Sequence, residues 1–159
     1  MIGKLYLNYF KNFKMGICSH FLYGGIVEKI NCLLIEPNEL PKRISIDNTL
    51  KAKQQLVGGL IEVAYLLKDD EVCIVCNEEG KINGLPLNRV VGPDIIAGPF
   101  LIVGDDYENG NFKSLTEEQM TKYEKFFDKE SIRKTEEEVE RIILKNLAQR
   151  AEKIFDLER

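Results

Sequence analysis

The sequence has no tryptophan and a single histidine, His20, within 159 residues. The scarcity of histidine removes most His-based metal sites, and any Ser-His-Asp or Cys-His mechanism that does not run through His20. His20 lies in an apolar stretch and reads as a packing residue. A long hydrophobic run is also missing. The stretch Met15–Val27 has no charged residue but is shorter than the roughly 20 residues of a bilayer span. Lys11 and Lys14 flank it as in a signal peptide, yet no small-x-small cleavage site follows, so the chain reads as cytoplasmic. Neither the Walker nor the dinucleotide fingerprint occurs, Val57-Gly-Gly-Leu60 matching neither.

The four cysteines, Cys18, Cys32, Cys73 and Cys76, are too sparse for the disulfide framework of a secreted mini-protein. Cys73 and Cys76 spell C-x-x-C inside the apolar run Glu71-Val-Cys-Ile-Val-Cys-Asn77. In a strand, side chains three apart face opposite ways, so these sulfurs cannot meet. They read as buried strand thiols, with no metal and no cofactor expected.

The formal charge is −4, unevenly spread. Residues 1–31 hold four Lys against Glu28, net +3; residues 32–128 hold ten bases against seventeen acids, net −7; residues 129–159 hold eight of each. An acidic body argues against direct nucleic-acid binding. It fits solubility or a basic partner approached electrostatically. The acidic turns Asp69-Asp70-Glu71 and Asp105-Asp106 read as solvated loops rather than acid/base pairs or calcium ligands.

Three segments are expected: an N-terminal leader (1–29), an α+β core domain (30–128) and a C-terminal helix (129–159). Met15 offers an alternative start. Cys32–Glu36 and Arg43–Asp47 read as strands, Leu50–Val57 as a helix capped by Asp47-Asn48-Thr49 and stopped by Gly58. Leu60–Leu67 and Val72–Asn77 read as further strands, and Asn77–Lys81 as a hairpin turn with Gly80 in the left-handed region. Asn83–Pro86 and the Pro93 segment give two more turns, and Gly98-Pro99 breaks the apolar run Ile95–Val103. Ser114-x-x-Glu117 and Thr135-x-x-Glu138 read as capping boxes of two closing helices. In the second, Val139, Ile143, Leu147, Ala151 and Ile154 mark a stripe that needs a partner, either the body or a second copy in a homodimer. The fold class is therefore α+β: a mostly antiparallel sheet of about five or six short strands packed by two helices, plus a long C-terminal amphipathic helix.

The segment Asn77-Glu-Glu-Gly-Lys-Ile-Asn-Gly-Leu-Pro-Leu-Asn-Arg89 is the candidate site. Turn chemistry accounts for its Asn and Gly but does not require Arg89. One reading is a clamp from Arg89 to Asp94 or Glu62. The other is a binding edge formed by Asn77, Glu78, Lys81, Asn83, Asn88 and Arg89, with no catalytic residue.

Together with Leu56-Val-Gly-Gly-Leu-Ile-Glu-Val63 and Asp94-Ile-Ile-Ala-Gly-Pro-Phe-Leu-Ile-Val-Gly104, this segment resembles a small domain-of-unknown-function family found in phages, plasmids and conjugative elements of Gram-positive bacteria. The resemblance covers about residues 30–127. Pro99 stands where members often have Thr, and fewer residues separate Arg89 from Asp94. It implies a mobile-element setting and no particular activity. The expected function is a non-enzymatic accessory protein that binds and inhibits a host defence component, such as a CRISPR effector or restriction enzyme. The alternative is a small-molecule binder, a sponge for a nucleotide immune signal.

Overall fold

A computed structural model describes residues 27–65, 67 and 71–157, with the backbone alone for 154–157. The leader up to residue 26, with Met15, Cys18 and His20, lies outside the described residues, as do most of the Lys68–Glu71 turn and the side chain of Ile154.

The chain runs through β1 (Lys29–Ile35), β2 (Lys42–Asp47), α1 (Leu50–Val57), β3 (Ile61–Ala64), β4 (Val72–Asn77), β5 (Leu87–Val91), β6 (Asp94–Ala97), β7 (Phe100–Asp106), β8 (Asn111–Lys113), α2 (Glu117–Phe126) and α3 (Lys129–Leu157). The main sheet is antiparallel in the order β2-β1-β7-β4-β3, with β8 pairing the end of β7. The hairpin β5–β6 forms a second sheet of its own. The protein is thus α+β, as the alternating strands predict, with the long C-terminal helix present.

Strand alternation sorts the core into two layers. Leu33, Ile35, Ile74, Cys76, Phe100 and Ile102 face one way and pack against Val91 and Ile96 of the hairpin, and Met120, Tyr123 and Phe127 at α2. Cys32, Cys73, Val75, Leu101 and Val103 face the other way, where Leu56 of α1 joins them. The two sulfurs of the C-x-x-C therefore lie on opposite faces of β4. Burial pushes the Cys32 thiol up to about 11 and the Cys76 thiol up to about 12, so both stay protonated and inert at neutral pH.

Local chemistry sets the first helix. The Thr49 hydroxyl accepts from the Ala52 N–H at 3.1 Å, and Gly58 closes the helix at φ 76°. The other capping expectations are corrected. The box on α2 is Thr116 with Gln119, each side chain bonding the other's backbone N–H, while the Ser114 hydroxyl accepts from the Asn31 N–H across the sheet. Helix α3 begins six residues before Thr135, where the Asp128 carboxylate accepts from the Glu130 and Ser131 N–H groups. The hairpin expected at 77–81 is also corrected. β4 pairs with β3 and β7, and the 78–86 segment carries the chain to a different sheet.

Arg43 on the edge strand β2 ties this edge to α2. Its guanidinium donates to both carboxylate oxygens of Glu124, at 2.7 and 2.8 Å, and to Glu117 at 2.7 Å. That fork holds the Glu124 carboxyl below its ordinary value. A carboxyl depressed in the folded state stabilises the fold above its unfolded pKa of about 4.3, and the contribution is lost as pH falls through the folded value. Melting curves from pH 7 to pH 3 are expected to fall less steeply below pH 4.3 for Glu124→Gln than for the parent; parallel curves would remove Glu124 from the acid limb.

Candidate functional site

The six residues singled out from the sequence fall on β4, the 78–86 turns and β5, and they divide into two groups. Asn77, Asn88 and Arg89 are buried; Glu78, Lys81 and Asn83 are exposed.

The buried three hold the scaffold. The Asn77 amide donates to the Val57 carbonyl at 3.2 Å, and its oxygen accepts from the Glu79 N–H at 2.9 Å, tying the end of α1 to the turn after β4. The Asn88 amide donates to the carbonyls of Ile35 and Gly98, at 3.0 and 2.8 Å, joining β5 to the ends of β1 and β6. Arg89 is wholly inaccessible to solvent. Its guanidinium donates to the Asn88 carbonyl and side-chain oxygen, both at 2.9 Å, to the Glu39 carbonyl at 2.6 Å and to the Ser131 hydroxyl at 3.1 Å.

Every one of these acceptors is neutral. The expected clamp to Asp94 or Glu62 does not form: Asp94 is paired with Lys81 instead. Desolvation without a facing carboxylate lowers the Arg89 pKa from its usual value, which still leaves the group charged. The guanidinium is a hub that fastens β5, the β1–β2 loop and α3 to one another.

A second hydroxyl completes this joint. Thr135 is buried in the side of α3, donates to the Ser131 carbonyl at 2.8 Å and accepts from the Val90 N–H at 3.0 Å. A strand donor that no neighbouring strand satisfies is thereby met by a helix side chain.

Lys81 leads to the groove that the scaffold leaves open. It lies between the β5–β6 hairpin and the middle of α3, with a volume of about 560 Å³. Leu87, Val90, Ile95 and Ile142 form its apolar floor. The Lys81–Asp94 pair borders it on one side and the Arg141–Glu138 pair on the other. Glu78 and Asn83 do not line it.

Sequence reasoning missed a second internal cation. Lys53, on α1, is almost fully buried, donates to the Asn48 side-chain oxygen at 2.7 Å and sits 4.9 Å from the centroid of the Phe112 ring. Burial lowers its pKa. Only its position one turn after the Thr49 cap, facing the sheet, could have signalled this.

At the opposite end of the main sheet the turns around β3 and β7–β8 meet. Tyr65 and Tyr107 are exposed there, at 55% and 74%, beside Asp106 and the exposed Glu108. The Tyr65 phenol is hydrogen-bonded to Asp105; burial, first, and that carboxylate push its pKa up.

Among the described residues no group of three or more His, Cys, Asp and Glu side chains is arranged to hold a metal ion, and no helix is long and apolar enough to cross a membrane. Residues 30–128 match one family, described as Domain of unknown function (DUF3846). No curated protein and no solved structure matches the chain.

Proposed function

We propose that this chain, which belongs to the DUF3846 family, is a non-enzymatic binding protein. In this reading it is a phage or plasmid accessory that occupies a basic surface of a host defence component, such as a CRISPR effector or restriction enzyme.

The observation that carries the reading is the tyrosine and carboxylate end of the sheet. Tyrosine supplies large, rigid contact area and is enriched where interfaces form. Asp106 and Glu108 are two of the seventeen acids that make residues 32–128 net −7. A surface of this kind steers toward a nucleic-acid channel lined with Lys and Arg, and its attraction weakens with salt. The polar 77–89 segment supports the same direction from the other side, because its buried members spend their donors on the chain itself.

The chain is expected to raise phage plating on a host carrying such a defence system and to retain the defence protein on an affinity column at low salt. Tyr107→Ala with Glu108→Lys changes only exposed side chains, so it is expected to keep the melting temperature and to lose both effects. Unchanged plating on every defended host, with no defence protein retained, would overturn the reading.

A further inference from the structure

Helix α3 has two halves with different surroundings. Over the body, Ser131 and Thr135 bond Arg89 and Val90, and Ile132 and Val139 are half-buried. From Ile143 to Lys153 every side chain is exposed. Ile143 is 52% exposed, Leu144 60% and Leu147 55%.

These residues do not continue the packing face. At roughly 100° per residue, Ile143, Leu144, Leu147 and Ala151 lie on a sector turned by roughly 80–180° from that of Thr135. Over the body the same sector holds Arg133, Glu136 and Glu140. The sector becomes apolar where the helix leaves the body, so its apolar surface is not left over from intramolecular packing. The spacing of Leu144, Leu147, Ala151 and Ile154 is the 3–4–3 of a coiled-coil seam.

We infer that a second copy of this chain covers the stripe, the two helices pairing antiparallel about a two-fold axis near position 149. Two observations select this occupant. First, the register sets Leu144 opposite Ile154 and Leu147 opposite Ala151, large beside small in the middle layers, and the same contact recurs in reverse as a two-fold axis demands. Second, residues 129–159 carry eight bases and eight acids, whereas residues 32–128 are net −7. The helix is therefore the part of the chain on which two copies meet without charge repulsion. The helix runs about 22 Å from residue 143 to residue 157, so antiparallel pairing holds the acidic bodies at opposite ends, well beyond the Debye length of about 8 Å.

Two heptads alone form a marginal pair, so the dimer is expected to be weak and to depend on concentration.

Sedimentation of the full chain over a range of concentrations is the test. The parent is expected to pass from monomer to dimer, and Leu144→Glu with Leu147→Glu to weaken the dimer by at least about tenfold, some 1.4 kcal/mol, with an unchanged circular-dichroism melt. Leu60→Glu, at an exposed apolar position on the body, is expected to leave it alone. X-ray scattering of the dimer is expected to show two lobes separated along the helix pair. A parent that remains monomeric at every concentration, or a stripe variant that dimerises as the parent does, overturns the inference; a compact dimer with touching bodies overturns the antiparallel arrangement.

Discussion

Arg89→Ala is expected to destabilise the protein by about 3–5 kcal/mol, the range for emptying a large buried side-chain site and breaking its bonds. Urea unfolding is the measurement, with the midpoint displaced at constant slope. The truncation leaves a cavity where β5, the β1–β2 loop and α3 meet. It also withdraws the guanidinium donors from the Glu39 and Asn88 carbonyls and from the Ser131 hydroxyl oxygen. Because the guanidinium faces neutral oxygens alone, no carboxylate is stranded by its removal, and no second substitution rescues the loss. Asp94→Ala disturbs an exposed pair with Lys81 and is expected to cost at most about 1 kcal/mol. The double variant should then equal the sum of the two singles, since the groups share no partner. A rescue of Arg89→Ala by Asp94→Ala would mean that the two charges face each other after all. Arg89→Met refills much of the volume without a buried charge and is expected to lose less than half as much.

Gly80→Ala is the second large effect, expected at about 1–3 kcal/mol, the cost of forcing atoms into a closed site. Gly80 is not among the glycines of positive φ. What holds it is proximity: a Cβ there would lie 2.7 Å from the Ala97 carbonyl oxygen, where the loop crosses the end of β6. Backbone on both sides cannot move away easily. Gly84 is the opposite case, with φ 69° and open space around a would-be Cβ. Asn tolerates the left-handed region, so Gly84→Asn is expected to cost a few tenths of a kcal/mol and Gly80→Asn as much as Gly80→Ala. Thermal melts of the three variants separate close approach from backbone conformation; a tolerated Gly80→Asn would contradict the crowding.

The contrast between these glycines shows where local sequence signals stop. Thr49, Gly58 and the alternation of β1 and β2 were legible, because caps and pleats act over a few residues. Gly98-Pro99 was legible as a break, and the break divides one apolar run between two sheets, with Gly98 at φ 78°. The pairing of β4 was not, since its partner β7 lies about 30 residues further on and no turn residue records it. Thr135-x-x-Glu138 carries the letters of a capping box inside an unbroken helix. Its threonine answers a strand N–H 45 residues away, which a pattern of four letters does not contain. Arg89 was legible as an anomaly and not as a contact. Charge-pairing rules direct attention to Asp94 and Glu62, whereas the acceptors are mostly backbone carbonyls, and every residue has one of those. The exposed stripe of α3 was visible in the spacing; the point at which the helix leaves the body required the fold.

The position of β7 in the sheet bears on the order in which the protein assembles as it is made. β1–β2 and β3–β4 are each joined by short connections and can pair as soon as they leave the ribosome. β7 then enters between β1 and β4 and bonds to both. Until Phe100–Asp106 has been synthesised, β1 and β4 each lack the strand that joins them, and this long-range closure is expected to be the slow step. A ribosome stalled before residue 100 would present open strand edges to chaperones, and one stalled beyond residue 106, with the exit tunnel cleared, a closed sheet.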